Sequence, residues 1–411
     1  MRGVTLALDL VQTVALAGGI LFLGYGLRQL VPPLARVNIP APVCGGLPVA
    51  ALLAVLHALG YQPLAFDTTL QVPLQNTFFA AIGFAASLSL MRRGGPLVFG
   101  FFLLAVVVAA LQNVVGAGVA WMLGQPPLMG VLAGSVTLTG GPATGLAFAP
   151  LFEQAGVPGA ATLAVAAAMA GIVAGGVMGG PIGTYLVEHR AAAITPHRPV
   201  APTLENLAEQ RLPPEIIASP AGEDVESYVL LKHLVVMLVS VGAGIWVSGW
   251  LTRAGLTLPA YIGAMLVAAL FRNLDDLTGA LRLSQRVIDD IGNISLALFL
   301  VMALMTLRLW ELAGLVTPLI IIVAAQIALI ALVCIFVLPR LMGRDYDAAV
   351  MSGGFCGFML GTSANAMANM GALVERYGPA PKAYLVVPLV GAFFIDFANA
   401  LLITLFLNLF S

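Results

Sequence analysis

Charge is scarce in this chain. Only 9% of its 411 residues are Asp, Glu, Lys or Arg, against roughly a quarter in soluble domains. So few charges cannot cover the surface of a water-soluble protein of this length. The formal net charge is −1, so no basic footprint points to nucleic acid. Cysteine is rare as well. Cys44, Cys334 and Cys356 all sit in apolar segments with no CxxC pair, which excludes a disulfide framework and a zinc site. His57, His189, His197 and His233 are scattered without a ligand partner. No nucleophile–base cluster marks an enzyme and nothing calls for a cofactor. What is abundant is apolar side chain, at 60% of the residues.

Those residues fall into runs near twenty long, the length of a membrane-spanning helix. The runs predict spans at about 10–31, 41–60, 73–91, 96–123 and 160–186, then 229–251, 258–272, 291–309, 318–338 and 383–409. The first is too long for a signal-peptide core and lacks a small-x-small cleavage site, so it reads as a membrane helix. Segments 127–152 and 348–373 differ, being apolar but dense in Gly, Ser, Thr and Asn. Each is expected to form a re-entrant hairpin of two half-helices with an open tip, because bare backbone at membrane depth must line a protein-buried or watery cavity. The fold class is therefore an all-α polytopic membrane protein.

Lys and Arg set the orientation. With the N-terminus outside, Arg28, Arg36, Arg92, Arg93, Arg190, Arg198, Arg211, Lys232, Arg272, Arg282, Arg286, Arg340, Arg344, Arg376 and Lys382 lie inside. Only Arg2, Arg253 and Arg308 lie outside. The positive-inside rule then places both termini outside and the loop 187–227 in the cytoplasm. That loop holds Pro196, Pro199, Pro202, Pro213, Pro214 and Pro220 and reads as a linker. It separates residues 1–186 from 228–411. Ile39-Pro40-Ala41-Pro42 recurs as Leu258-Pro259-Ala260-Tyr261, and Leu151–Gly156 (LFEQAG) as Leu373–Gly378 (LVERYG). Each half has an odd number of spans, so the second copy is expected upside down. This predicts two inverted-topology repeats of five transmembrane helices, each with its hairpin, a common build of secondary transporters.

Interrupted segments at corresponding places in such repeats point to the binding site. In the first hairpin, Gly140 and Gly141 let backbone approach a ligand, while Ser135, Thr137, Thr139 and Thr144 offer hydroxyls. A half-helix starting at the tip aims its positive end at a carboxylate. The second hairpin offers Gly361, Thr362, Ser363 and Asn365. Asn369 lies one turn on, sharing a face with Asn365. Asp396 is an acidic residue deep in the last span, a functional position by default. It is a candidate for substrate ammonium or for a cation. Asn399 shares its face, and Gln112 and Asn113 lie mid-span. The cation candidates are thus Gln112, Asn113, Asn369, Asp396 and Asn399. By contrast, Gly175, Gly176, Gly179 and Gly180, with no hydroxyl nearby, read as helix packing.

At Ile39–Leu47 (IPAPVCGGL), Gly134–Gly145, Gly292–Ala313 (GNISLALFLVMALMTLRLWELA), Tyr346–Gly361 and Gly378–Leu402 the chain resembles the bacterial sodium/glutamate symporter family. The resemblance covers nearly everything but the linker. It implies uptake of the anionic amino acid glutamate, driven by sodium as the coupling ion. It also implies a homodimer in the bacterial inner membrane with elevator-type alternating access. There are departures. The family's Ser-Gly-Gly-His-Gly-Thr-Gly is here Thr139-Gly140-Gly141-Pro142-Ala143-Thr144-Gly145, and Phe355 stands where a histidine precedes the cysteine. The alternative is a sodium- or proton-coupled carrier of another small di- or hydroxycarboxylate. A passive channel fits less well, because the polar residues cluster instead of forming a ring through the membrane.

Overall fold

The computed structural model describes residues 6–61, 64–189, 225–253, 259–312 and 314–410. Most of the expected linker lies outside these residues, with Arg190, Arg198, Arg211 and the six linker prolines, as do Arg2 and Leu258. The described chain is helical apart from one short parallel pairing of Leu6–Ala7 with Leu64–Ala65. Among the described residues, eight helices are long and apolar enough to cross a membrane: Leu10–Leu30, Ala41–Ala58, Gln71–Arg92, Gly94–Met122, Ala160–His189, Ser227–Arg253, Gln285–Met305 and Val316–Met342.

Two expected spans are not among these eight. The one predicted over 258–272 is the helix Ala260–Thr278, whose last turns carry Arg272, Asp275 and Asp276. The one predicted over 383–409 is broken by a π-helical turn at Val390–Phe394. Asp396 therefore sits in the first turn of the helix Ile395–Phe410, directly after that turn. Single-turn π insertions in α-helices are frequent at functional sites.

The helices are α1 (Leu10–Leu30), α2 (Pro32–Arg36), α3 (Ala41–Ala58), α4 (Gln71–Ala85), α5 (Leu88–Met122), α6 (Pro127–Val131), α7 (Gly141–Gln154) and α8 (Ala160–His189). After the linker come α9 (Val225–Arg253), α10 (Ala260–Thr278), α11 (Gln285–Met305), α12 (Val316–Leu332), α13 (Leu338–Met342), α14 (Tyr346–Leu360), α15 (Ser363–Tyr377), α16 (Pro381–Leu389) and α17 (Ile395–Phe410). They pack as two groups. In the first, α4 lies on α10 and α11, α9 on α10, and α1 on α3 and α11. In the second, α8 lies on α7, α14 and α15, and α5 on α6, α12 and α17. Tyr261 of the first group lies against Phe79 of the same group, with ring centroids 4.6 Å apart, and meets Phe148 of the second at 5.1 Å.

The chain crosses between the groups near 86–96. There Ser87 and Ser89 both donate to the Asp276 carboxylate, which also pairs with Arg272 at 3.0 Å. These bonds tie the start of α5 to the end of α10. A few residues on, Gly95 adopts φ 70°, ψ −169° just before Pro96 and splits α5. Only glycine takes that backbone readily, and the residue before proline is steered away from helix.

Candidate functional site

Both glycine-rich segments, 127–152 and 348–373, are broken helices. In the first, α6 runs into a π-helical turn, Leu132–Val136, that breaks at Gly134 (φ −102°, ψ −129°), and α7 starts at Gly141. In the second, α14 ends at Leu360 and α15 starts at Ser363. The two breaks face each other: a Cβ built on Gly141 would lie 3.8 Å from the Gly361 carbonyl oxygen.

Buried polar side chains hold the breaks. Thr139 Oγ1 donates to Gln112 Oε1 at 2.7 Å, and Gln112 Nε2 donates to the Met359 carbonyl at 2.9 Å. One amide on α5 thus ties both segments together. The Gln112 carbonyl in turn accepts from Gln326 Nε2 at 2.7 Å. Ser135 N–H donates to Asn113 Oδ1 at 3.0 Å, and the Ser135 carbonyl accepts from Asn399 Nδ2 at 2.9 Å. Thr137 Oγ1 bonds back to the Leu132 carbonyl at 2.8 Å. In the second segment, Asn365 Nδ2 donates to the Ile172 carbonyl at 2.8 Å and Asn369 Nδ2 to the Gly175 carbonyl at 2.9 Å. Gly175 and Gly179 are bare where α14 and α15 press on α8; a Cβ on Gly179 would lie 2.0 Å from Asn369 Nδ2.

A cavity of about 670 Å³ opens between the two helix groups. From the first break it is lined by Thr139, Gly140 and Gly141, and from the second by Gly361, Thr362 and Ser363. Asp396 joins them from α17. Of the other candidates, Ser135, Thr137, Thr144, Asn365, Gln112, Asn113, Asn369 and Asn399 lie outside the lining. All of them are buried.

The electrostatics of the cavity are mixed. Two helices, α7 and α15, begin at it. The first-turn N–H groups of a helix lack intrahelical partners and carry partial positive charge. Thr362 caps α15, accepting from Asn365 N–H at 3.3 Å, whereas α7 has no side-chain cap. Ser363 Oγ donates to the Gly391 carbonyl at 2.8 Å, fixing the α15 start against the π turn before Asp396. Among the described residues, Asp396 has no hydrogen bond or ion pair, and neither has Arg28 on α1, which lines the same cavity.

Arg28 is the main residue that sequence reasoning missed. It counts there as an inside-face charge, and its role in the cavity comes from α1 packing beside α3 and α11. Tyr25, Asp289 and Asn293 also line the cavity. Asp289 and Asn293 did carry a legible signal, since polar residues four apart on an apolar helix share a face. Phe355, at the place of the family's histidine, is fully buried and packs edge-on to Phe101 at 5.4 Å.

A multi-span helical protein with a cavity into which two broken helices open has the build of a solute carrier. The comparisons agree. A family model described as Sodium/glutamate symporter matches residues 6–379. The Sodium/glutamate symporter of Escherichia coli (strain K12) is 42% identical over 404 residues, covering 98% of each chain. That of Haemophilus influenzae (strain ATCC 51907 / DSM 11121 / KW20 / Rd) is 38% identical over 394 residues, covering 95% of each. The chain belongs to the sodium/glutamate symporter family. No solved structure matches it.

Proposed function

We propose that the chain carries L-glutamate across the bacterial inner membrane by sodium-coupled symport, and that the cavity between the broken helices holds the substrate. The carrying observation is the Asp396 carboxylate, unpaired among the described residues, in a cavity that also holds the Arg28 guanidinium, likewise unpaired among them, and two helix N-termini. A zwitterion with a second carboxylate complements that set. Asp396 takes the ammonium. The bare N-terminus of α7 at Gly140 and Gly141, with the α15 start at Thr362 and Ser363, takes one carboxylate. The chain is a carrier, and its relatives' names give sodium as the coupling ion.

We read the two broken segments as re-entrant hairpins of two inverted repeats. The pairing of Thr139 with Met359, 3.8 Å from Oγ1 to Sδ and 220 positions apart, supports this reading. The repeated segments are offset by similar amounts, 219 from Ile39 to Leu258 and 222 from Leu151 to Leu373. The helix groups, joined through crossovers such as 86–96, fit the two bodies of an elevator. A homodimer, outside termini and a cytoplasmic linker complete the proposal on the family resemblance and the Lys/Arg distribution.

The test is Asp396→Asn in proteoliposomes. Removing one partner of a buried charge pair costs about 3–5 kcal/mol, so glutamate affinity should fall well over tenfold. Competition by a five-carbon dicarboxylate lacking the amine should be spared. Unchanged glutamate affinity in folded Asp396→Asn protein overturns the assignment. Loss of sodium stimulation for every substrate alike would move Asp396 to the cation.

A further inference from the structure

Among the described residues, three buried polar atoms on one hydrogen-bonded chain lack partners. They are Ser135 Oγ, Asn399 Oδ1 and Asn113 Nδ2, on residues with no solvent exposure at all. The bonds that join these residues leave no choice of amide orientation. Asn399 must turn its NH2 to the Ser135 carbonyl, and Asn113 must turn its oxygen to the Ser135 N–H. Asn399 Oδ1 is thereby left as a free acceptor, and Ser135, whose carbonyl Asn399 binds, carries a free hydroxyl. Native interiors rarely leave such groups unsatisfied, and those that remain call for an ion, a water or a function.

We propose that Ser135 Oγ and Asn399 Oδ1 are protein ligands of a coupling sodium, outside the substrate cavity and behind the tip of the first broken helix. Hydroxyl and amide oxygens suit a hard cation. A water on the same ion takes the Asn113 Nδ2–H, so each of these three orphaned groups is used. The inference rests on the sodium-coupled reading above and narrows it. Among the expected cation candidates, the Gln112 amide is occupied at both ends, whereas Ser135 was expected only at the substrate.

The location also gives a route for coupling. The Ser135 carbonyl accepts from Asn399 Nδ2 and from the tip N–H of Gly140 at 3.0 Å. Gly140 lines the cavity. An ion that grips Ser135 and Asn399 fixes the backbone that meets the substrate, so each ligand raises affinity for the other, as linkage requires.

Ser135→Ala tests this, because it removes Oγ and leaves both backbone bonds intact. Sodium is titrated against choline with the purified full-length protein in two assays: thermal unfolding without substrate, and glutamate uptake into proteoliposomes. Half-saturating sodium should rise about tenfold or more, the scale of losing a group that supports a metal site. At saturating sodium, glutamate affinity should match wild type. Without sodium, the variant should melt no lower than wild type, since an unsatisfied hydroxyl has been removed. Ser135→Cys keeps the volume but offers a soft sulfur, and should show the same sodium defect if the alanine variant does not fold. Unchanged half-saturating sodium in either folded variant overturns the proposal. So does an equal loss of stability with and without sodium, the mark of a buried water only. The thermal assay contains no substrate, so it decides the ion site even if glutamate fails as the cargo. Asp396→Asn reads the substrate assignment separately.

Discussion

Gln112 is the strongest test of how the two broken helices are held together. Its side chain accepts from Thr139 at 2.7 Å and donates to the Met359 carbonyl at 2.9 Å, and all three residues are buried. Met359 lies in the last turn of α14, where carbonyls have no intrahelical partner. Gln112→Ala therefore takes the partner from the Thr139 hydroxyl and the Met359 carbonyl, both on buried residues. Each such orphan costs about 1–3 kcal/mol, so the variant should lose roughly 2–6 kcal/mol. Thr139→Val alone should lose about 1–3 kcal/mol, because it strands Gln112 Oε1. In the Gln112→Ala background the same change removes an orphan and should be neutral or stabilising. The double-mutant cycle should then give a coupling energy of at least about 1 kcal/mol. Reversible unfolding of the purified protein in mixed micelles measures it. Additive losses would refute the link, and with it the claim that one amide on α5 bridges the two segments. Sodium-driven uptake should fall in Gln112→Ala, since both tips that line the cavity depend on that amide.

Gly179→Ala should destabilise by about 1–3 kcal/mol, the cost of overpacking, because the new Cβ would lie 2.0 Å from Asn369 Nδ2 and 2.7 Å from the Gly353 carbonyl oxygen. Gly180→Ala, with nothing within 4 Å, is the control and should melt as wild type. Arg28→Gln should weaken glutamate binding about tenfold or more, the scale of a charge-assisted hydrogen bond, and Arg28→Lys should restore only part of it because the bidentate fork is lost. Binding assays on the purified protein read both; equal affinity in all three would remove Arg28 from the site. Single cysteines at Thr139 and Thr362 should react with small water-soluble thiol reagents, and substrate plus sodium should slow the reaction. Inertness of both positions under all conditions would mean the cavity does not admit water.

The membrane-spanning class followed from composition alone, because few charges and recurrent apolar runs admit no water-soluble fold. The breaks were legible too. Gly134, Gly140–Gly141 and Gly361 are where glycine and hydroxyl residues interrupt apolar segments, and helix propensity is local chemistry. Asp396 was legible as a candidate because a carboxylate in such a segment is costly, and it lines the cavity. The π turn before it left no such mark, since Val390–Phe394 reads as ordinary apolar helix. Arg28 could not be found this way. At the end of a span it looks like any interfacial cation, and only the packing of α1 brings it to the same cavity as Asp396. The partners of the polar residues were equally invisible. Gln112 and Met359 are 247 positions apart, and Ser135 and Asn399 are 264 apart. Residue type tells what a side chain can bond. Which acceptor it meets, and which oxygen is left over, is decided only when distant helices pack.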